Sequence, residues 1–259
     1  MPIHPTAVID KSCEISSEAH IGPYCVIGPQ TRIGAGCVLD SHINIYGWTT
    51  IGERCRFYSH GSIGTDPQDL KYEGETTYLK IGSENVFREF VSLNRGTVGG
   101  HGITVIGNNN FFMAYSHIAH DCQVGNNIIM ANAATLAGHV TVRDHATVGA
   151  FSAVHQFCRV GSYAFIGGFS VVTRDALPFI RTVGERNQAK IYGINTIGLQ
   201  RKGFSEECIE ELKQVYRICF RSKMNTGEAL AKVKETSWIS PEVSTLVEFM
   251  ESSERGFIR

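Results

Sequence analysis

Large apolar residues recur at every sixth position along two long stretches of the chain. The first stretch runs from Ile3 to Ile63 and the second from Ile106 to Val172. A period of six matches neither the 3.6-residue period of an α-helix nor the two-residue alternation of an amphipathic strand. It is typical of a chain that turns a corner every six residues and stacks each coil on the one before. The pattern predicts a mainly β fold, a parallel β-helix, over residues 1–178.

Three repeats would make one triangular coil, so residues that are one coil apart would stack at a strand spacing of about 4.8 Å. Asn108 would then lie over Asn126, and the two amides could form a ladder. Glycine often follows the apolar anchor, as at Gly22 and Gly34. We interpret these glycines as corner residues with positive φ, which glycine adopts without a Cβ penalty.

The repeat is interrupted twice, and each interruption predicts a loop. One lies near 64–80 and is polar, and the other lies near 95–105 and is rich in glycine. Loops on a rigid scaffold often carry binding residues. After Val172 the repeat ends, and helix-start signals follow at Ser205, Thr226 and Ser240. They predict a small C-terminal domain of three α-helices over 190–259.

Composition excludes several classes of protein. A net charge of −1 argues against a nucleic-acid binder. The sequence contains neither an apolar run long enough to span a membrane nor a secretory signal pattern. Six of the eight cysteines, beginning with Cys13, occupy the fourth position after an anchor, where small residues recur. We therefore expect buried packing cysteines and not disulfides or a zinc site.

The segment around Ile118 carries the most suggestive chemistry. His117 and His120 flank this anchor at outward positions, and Asp121 follows His120. A histidine held in one tautomer by a carboxylate is the minimum for a general base. The residues alone also allow a structural histidine or a metal ligand, although His117 and His120 do not form an HExxH motif. We predict no metal.

One coil further along, Gly138 would lie beside His120. Its backbone N–H is placed where a developing oxyanion would need a donor. Gln156 follows one coil later in the same column, with His155 next to it.

Several segments together match the sequence pattern of one enzyme family. They are His117–Cys122, Leu136–Val140, Val154–Cys158, Gln68–Tyr72, Arg95–Thr97 and Arg201–Phe204. Over essentially its whole length the chain resembles the UDP-N-acetylglucosamine O-acyltransferases, the hexapeptide-repeat enzymes that begin lipid A synthesis. The resemblance implies that the β-helix is left-handed, which spacing alone does not show.

The resemblance also implies an activity, the transfer of an (R)-3-hydroxyacyl chain from acyl carrier protein to the 3-position of UDP-N-acetylglucosamine, without a cofactor. His120 would be the general base, Asp121 would orient it, and the Gly138 N–H would stabilise the oxyanion. Gly168 would leave the acyl groove open and so favour a long chain. The residues that would bind substrate are Gln68, Asp69, Lys71, His117, His139, His155, Gln156, Asn195, Arg201 and Lys202.

The resemblance further implies a cytoplasmic homotrimer with active sites between subunits. Three positions depart from the family pattern: Asn94 stands where a histidine is usual, Ile197 replaces a glutamate, and Lys202 replaces an arginine. These departures leave open a 3-amino acceptor in place of the 3-hydroxyl. The alternatives are the later N-acyltransferase of the pathway, which has an additional N-terminal domain, a zinc-dependent hydratase on the same scaffold, and a non-enzymatic scaffold.

Overall fold

The computed structural model describes residues 3–259, so the first two residues of the predicted β-helix lie outside the described residues. The chain coils into a left-handed parallel β-helix, as predicted. Each coil gives one short strand to each of three sheets, which form the faces of a triangular prism.

The strands are numbered β1 to β27 in chain order and divide among the three sheets. The first sheet contains β1 Val8–Ile9, β4 Val26–Ile27, β7 Asn44–Ile45, β10 Ser62–Thr65, β13 Ser92–Asn94, β16 His117–Ile118, β19 Thr135–Leu136, β22 Ala153–Val154 and β25 Val171–Val172. The second contains β2 Glu14–Ile15, β5 Arg32–Ile33, β8 Thr49–Ile51, β11 Tyr78–Ile81, β14 Ile103–Ile106, β17 Gln123–Val124, β20 Thr141–Val142 and β23 Arg159–Val160. The third contains β3 His20–Ile21, β6 Val38–Leu39, β9 Arg56–Phe57, β12 Val86–Phe87, β15 Phe111–Phe112, β18 Ile129–Met130, β21 Thr147–Val148, β24 Phe165–Ile166, β26 Ile180–Val183 and β27 Lys190–Ile194.

The six-residue anchors fill the interior of the prism and stack in register, as Ile118 does over Leu93. The predicted amide ladder is present, because Asn108 Nδ2 donates to Asn126 Oδ1 at 3.0 Å and Asn126 Nδ2 to Asp144 Oδ1 at 3.2 Å. Equivalent residues of successive coils therefore stack on one another, and side-chain packing and hydrogen bonds join each coil to the next.

The interpretation of the glycines as positive-φ residues is wrong. Positive φ occurs three positions after the anchor, at non-glycine residues such as His42 (58°) and Tyr115 (64°). Glycine follows the anchor because the coils are too close there for a side chain. A Cβ on Gly22 would lie 2.6 Å from the Asp40 carbonyl oxygen, and one on Gly34 2.5 Å from that of Gly52.

Both predicted loops leave the prism at the corner between the first and second sheets. The first loop spans residues 66–77, between β10 and β11, and the second spans 95–102, between β13 and β14. We call this edge, which also includes 119–122, 137–140 and 155–158, the loop-bearing corner.

The C-terminal region differs from the prediction of three helices over 190–259. Residues 190–194 form β27, which pairs antiparallel with β26 and extends the third sheet. Four helices follow, namely α1 Thr196–Arg201, α2 Glu206–Arg221, α3 Thr226–Glu235 and α4 Pro241–Glu251. The short α1 buries only Leu199, so it has no apolar periodicity to detect. Ser205 caps α2 as predicted, but the cap of α3 is Asn225, with a capping box to Glu228.

All eight cysteines are free, and all but the half-buried Cys13 are buried. Several thiols donate to a carbonyl of the following coil, as Cys37 does to Gly52 at 3.0 Å. Burial raises the pKa of Cys122 to about 12, so its thiol stays protonated. Within residues 3–259, no helix has the length and apolar character needed to cross a membrane.

Candidate active site

His120 and Asp121 form a hydrogen-bonded pair at the loop-bearing corner. His120 Nδ1 lies 2.9 Å from Asp121 Oδ2, and the aspartate side chain is fully buried whereas that of the histidine is 13% exposed. A carboxylate accepts hydrogen bonds and does not donate them. The shared hydrogen therefore sits on Nδ1, which leaves the Nε2 lone pair of His120 available as a base.

The second loop holds the Asp121 carboxylate from the other side. The Thr97 N–H lies 3.1 Å from both carboxylate oxygens, the Thr97 hydroxyl donates at 2.7 Å, and the His101 N–H donates at 2.8 Å. Gly100 makes room for this contact, because a Cβ there would lie 2.4 Å from Asp121 Cγ. Burial by itself raises the pKa of Asp121, but the hydrogen bonds from His120, Thr97 and His101 outweigh it, and the pKa is lowered. The carboxylate is thus fixed in its charged form.

Gly138 packs against the catalytic candidate His120. A Cβ on Gly138 would lie 2.6 Å from His120 Cε1 and 2.7 Å from Nε2, so no side chain fits there. The Gly138 N–H donates no hydrogen bond to any residue between 3 and 259. This amide is therefore free to bind a group held beside His120.

His139 lies close to His120 and is supported by an aromatic ring. Its ring meets His120 edge-on at 5.1 Å and stacks on Phe157 at 4.4 Å. Burial lowers the pKa of His139, which favours a neutral imidazole. Gln156 is exposed at the same corner, and its carbonyl lies 3.2 Å from His155 Nδ1. Three predicted residues, His139, His155 and Gln156, thus lie at the same corner of the prism as His120.

His117 points outward from the first sheet on the same coil as His120. Its Nδ1 lies 2.7 Å from the Ser92 hydroxyl. Burial, reinforced by the neighbouring His120, lowers the pKa of His117. A neutral His117 can accept or donate a hydrogen bond without placing a charge in the cleft.

The predicted substrate-binding residues of the first loop lie over this corner. Gln68 and Lys71 are exposed, and Asp69 Oδ1 accepts the Lys71 N–H at 3.0 Å. The negative charge of Asp69 favours protonation of His139 and so partly offsets the lowering of its pKa by burial. The Asp69 carboxylate of the first loop therefore lies near His139 of the same chain.

The remaining binding candidates lie elsewhere. Asn195, Arg201 and Lys202 line a cavity of about 950 Å³ on the outer face of the third sheet, together with Ile129 and Phe165. In a triangular prism this face lies opposite the loop-bearing corner. The structure does not bring these residues near His120 within one chain. The cavity is lined by six basic side chains and no acidic one, namely Arg181, Arg201, Lys202, Lys213, Arg217 and Arg221.

Gly168 lies at a third place, the corner between the third and first sheets. It is exposed, and a Cβ would meet only the Ala150 backbone, at 3.3 Å from its oxygen. Phe169 next to it is 71% exposed and stacks on Phe151 at 5.1 Å. Phe169 therefore points to solvent and leaves the space beside Gly168 open.

Three side chains at the loop-bearing corner are close enough to one another to bind a metal ion. Ligand atoms of His120, Asp121 and His139 lie within 4.8 Å of one another. Both Asp121 oxygens, however, already accept hydrogen bonds from Thr97 and its neighbours. An ion would have to replace these donors, so the donor set fits a hydrogen-bonded dyad better than a metal site.

Comparison with known proteins decides the family. The chain is 51% identical to the acyl-[acyl-carrier-protein]–UDP-N-acetylglucosamine O-acyltransferase of Thermodesulfovibrio yellowstonii over 257 residues, which is 99% of each chain. It belongs to the UDP-N-acetylglucosamine O-acyltransferase family. The enzyme of the same name from Syntrophobacter fumaroxidans is 48% identical over the full length of both chains. The predicted family and enzyme class are thereby confirmed, and the chain is an acyltransferase.

Family models and solved structures agree with this membership. Residues 175–258 match the second domain of UDP-N-acetylglucosamine O-acyltransferase, and residues 103–138 match the bacterial transferase hexapeptide repeat. The UDP-N-acetylglucosamine O-acyltransferase of Moraxella catarrhalis is 44% identical and superimposes with a TM-score of 0.96 over 100% of both chains. The Arabidopsis UDP-N-acetylglucosamine acyltransferase is 35% identical with a TM-score of 0.88, covering 99% of this chain and 100% of its own.

Sequence reasoning missed the groups that hold Asp121. They come from the second loop and are Thr97, Gly100 and His101. The glycines in that stretch of sequence predict a loop but not its contact with Asp121. The repeat does contain a signal for them. Both loops begin at the same repeat position as the segment that carries His120, which places them at the same corner of the prism.

Proposed function

We propose that the protein transfers an (R)-3-hydroxyacyl chain from acyl carrier protein to the 3-hydroxyl of UDP-N-acetylglucosamine, the first step of lipid A synthesis, in the cytoplasm. The single observation that carries the mechanism is the His120–Asp121 pair at 2.9 Å, with the free amide of Gly138 beside it. Relatives of about 50% identity over the whole chain carry this enzyme name, which favours the 3-hydroxyl over a 3-amino acceptor.

The reaction begins when His120 Nε2 takes the proton of the acceptor hydroxyl. The oxygen attacks the thioester carbonyl carbon, and the C–O bond forms as the carbonyl becomes an oxyanion. The Gly138 N–H donates to this oxyanion. Collapse breaks the C–S bond, and the imidazolium of His120 returns its proton to the thiolate of the carrier.

The charge of Asp121 supports both proton transfers. It stabilises the imidazolium that forms when His120 takes the proton, and it fixes the ring so that Nε2 faces the cleft. Because the hydrogen bonds from Thr97 and His101 are already in place, this electrostatic support needs no rearrangement during the reaction.

The acceptor would lie between the first loop and the histidines. Gln68, Asp69 and Lys71 offer donors, acceptors and a positive charge for the sugar and its phosphates. His117, His139, His155 and Gln156 line the corner around His120.

A complete site needs a second copy of the chain. Asn195, Arg201 and Lys202 lie on the face opposite His120, in a cavity whose positive charge suits a nucleoside diphosphate. In a homotrimer, that face of one subunit would meet the loop-bearing corner of the next.

The test is an assay of the purified enzyme with 3-hydroxyacyl carrier protein and either a 3-hydroxyl or a 3-amino nucleotide sugar. We expect turnover with the hydroxyl acceptor that a chelator does not change. Turnover restricted to the amine, or stoichiometric zinc needed for activity, would contradict the proposal.

Subunit sharing is tested by mixing two inactive variants, His120→Ala and Arg201→Ala, after separation and reassembly of subunits. Mixed trimers would contain intact interfaces and regain part of the wild-type rate. Mixed trimers that remain as inactive as the parents would exclude a shared site.

A further inference from the structure

Arg95 is the most buried cation at the loop-bearing corner, and the mechanism above gives it no role. Its residue is 3% exposed. Nη1 donates to the Gly64 carbonyl at 2.6 Å, and Nη2 donates to the Tyr72 hydroxyl at 3.0 Å and to Asp66 Oδ1. A buried charge of this kind is tolerated only when such partners are present.

These partners lie at the two ends of one segment, residues 64–72, which runs from the end of β10 into the first loop. Gly64 and Asp66 mark its beginning, and Tyr72 its end, so a single guanidinium connects both ends. The segment between them contains Gln68, Asp69 and Lys71. The planar fork of arginine can bind two separate acceptors at once, whereas the single ammonium of lysine cannot keep that geometry.

Neighbouring groups strengthen the same attachment. The Arg95 N–H donates to the Thr65 carbonyl at 3.0 Å, and Asn94 Nδ2 donates to Thr65 Oγ1 at 2.6 Å and to the Asp66 carbonyl at 3.0 Å. The Arg95 guanidinium also lies over the Trp48 ring at 5.4 Å. The buried Asn94 amide thus helps to hold the start of the first loop.

A second buried residue of the same short segment holds the Asp121 carboxylate. Thr97, two positions after Arg95, donates its N–H and its hydroxyl to Asp121. Gly96 between them allows the chain to pass this point, because a Cβ there would lie 2.1 Å from the Ile103 nitrogen.

We propose that Arg95 is a positioning residue that keeps the first loop ordered for the nucleotide-sugar acceptor, while Thr97 positions the dyad. This inference rests on the proposed function, in which the first loop binds the acceptor. A loop that is ordered before binding loses less conformational entropy when the substrate arrives. Loss of Arg95 should therefore weaken acceptor binding and leave the chemical step intact.

The test compares Arg95→Lys, Tyr72→Phe and Thr97→Val with the wild-type enzyme. For Arg95→Lys we expect KM for the nucleotide sugar to rise roughly 10- to 100-fold, as for lost charge-assisted hydrogen bonds, with kcat within about threefold. KM for the acyl carrier protein and the pH profile should not change. Thr97→Val should instead affect the chemical step. We expect a lower kcat and an altered pH profile, with an unchanged KM for the acceptor.

Tyr72→Phe keeps the test informative if Arg95→Lys does not fold, because it removes only one hydroxyl, at the far end of the segment that Arg95 holds. It should raise the acceptor KM in the same direction and by a smaller factor. Arg54→Lys is the matched control, since Arg54 makes an exposed ion pair with Glu84 at 2.9 Å on the prism body. Its kinetics should equal those of the wild type.

Two results would overturn the inference: an unchanged acceptor KM in both Arg95→Lys and Tyr72→Phe, or a fall in kcat with acceptor KM unchanged. Either is distinct from failure of the proposed function, in which the wild-type enzyme itself transfers no acyl chain.

Discussion

The imidazole of His120 rests directly on the backbone of Gly138, one coil away. A single added carbon on the glycine would lie 2.6 Å from His120 Cε1. The histidine is thus confined by Asp121 on one side and by the next coil on the other. A small residue at 138 is required for the position of the base as well as for access to the amide.

Replacement of His120 by alanine should remove most activity and leave the fold unchanged, because its side chain lies outside the apolar core. General-base catalysis contributes roughly 10²- to 10⁴-fold, so kcat should fall by that factor. Asp121→Asn should produce a smaller loss. Steady-state kinetics with circular dichroism of each variant provide the measurement, and exposed His20→Ala is the control. A folded His120→Ala enzyme with more than about a tenth of the wild-type rate would exclude His120 as the base.

Gly138→Ala should reduce kcat by displacing the His120 ring from its position. The new Cβ would clash with the imidazole, and misplacement of a catalytic group by about 1 Å can cost on the order of 100-fold. Gly99→Ala is the matched control, because a Cβ at Gly99 meets nothing within 4 Å. Equal kcat values for the two variants would show that the contact between residues 138 and 120 does not matter to the reaction.

Stability should fall as the pH drops below about 6.5, the ordinary pKa of histidine. Burial lowers the pKa of His117, so the unfolded chain binds a proton more readily than the folded protein does. The stability that this group contributes is complete above its unfolded pKa and is lost as the pH falls through its folded pKa. Thermal unfolding between about pH 7.5 and pH 5 should show a smaller drop in Tm for His117→Gln. Parallel Tm curves for variant and wild type would contradict this assignment.

Gly168→Met should shift preference toward shorter donors. The space beside Gly168 is open, and each acyl methylene that loses its contact there costs about 0.8 kcal/mol. Rates with 3-hydroxyacyl carriers of roughly ten to sixteen carbons would measure the shift, with the wild type favouring the longer chains. Lys11→Met places the same side chain two residues after an apolar anchor on a distant coil, at a different corner of the prism, and should change nothing. A wild-type preference for the shortest donor would refute the role of Gly168.

Association with acyl carrier protein should weaken as salt is added. The carrier is acidic, and Arg217, Arg221 and Lys223 are exposed on or just after α2, where the first two line the positively charged cavity. Arg217→Ala combined with Arg221→Ala should weaken binding and flatten its salt dependence, whereas Lys11→Ala should not. Binding that is independent of salt would argue for a different docking surface.

The sequence predicts most of this fold because its main determinant is local. An apolar anchor such as Ile118 recurs at a fixed interval, and the stacking of coils then follows without knowledge of distant contacts. Positive φ at residues such as His42 was not predictable in this way. The conformation is imposed by the turn that the coil must make, and residues as different as Gln30, Arg54 and Ala133 adopt it.

The site was predictable in part, and the limit has a physical cause. His120 and Gly138 are one coil apart, so the repeat itself relates them. Thr97 reaches Asp121 from a loop whose path the repeat does not determine. The separation of Arg201 from His120 depends on which face of the prism each occupies, a property that a resemblance between sequences does not report.

The loop-bearing corner has a consequence for where on a sugar the enzyme can act. His120, Gly138 and Gln156 stand on successive coils, at heights separated by about 4.8 Å. Equivalent side-chain positions on this corner therefore recur along the prism only at intervals of about 4.8 Å. If the histidine and aspartate were moved forward by one full coil, the base would lie about 4.8 Å further along the prism. It would then lie past the 3-hydroxyl of an acceptor that the first loop still held in its original place.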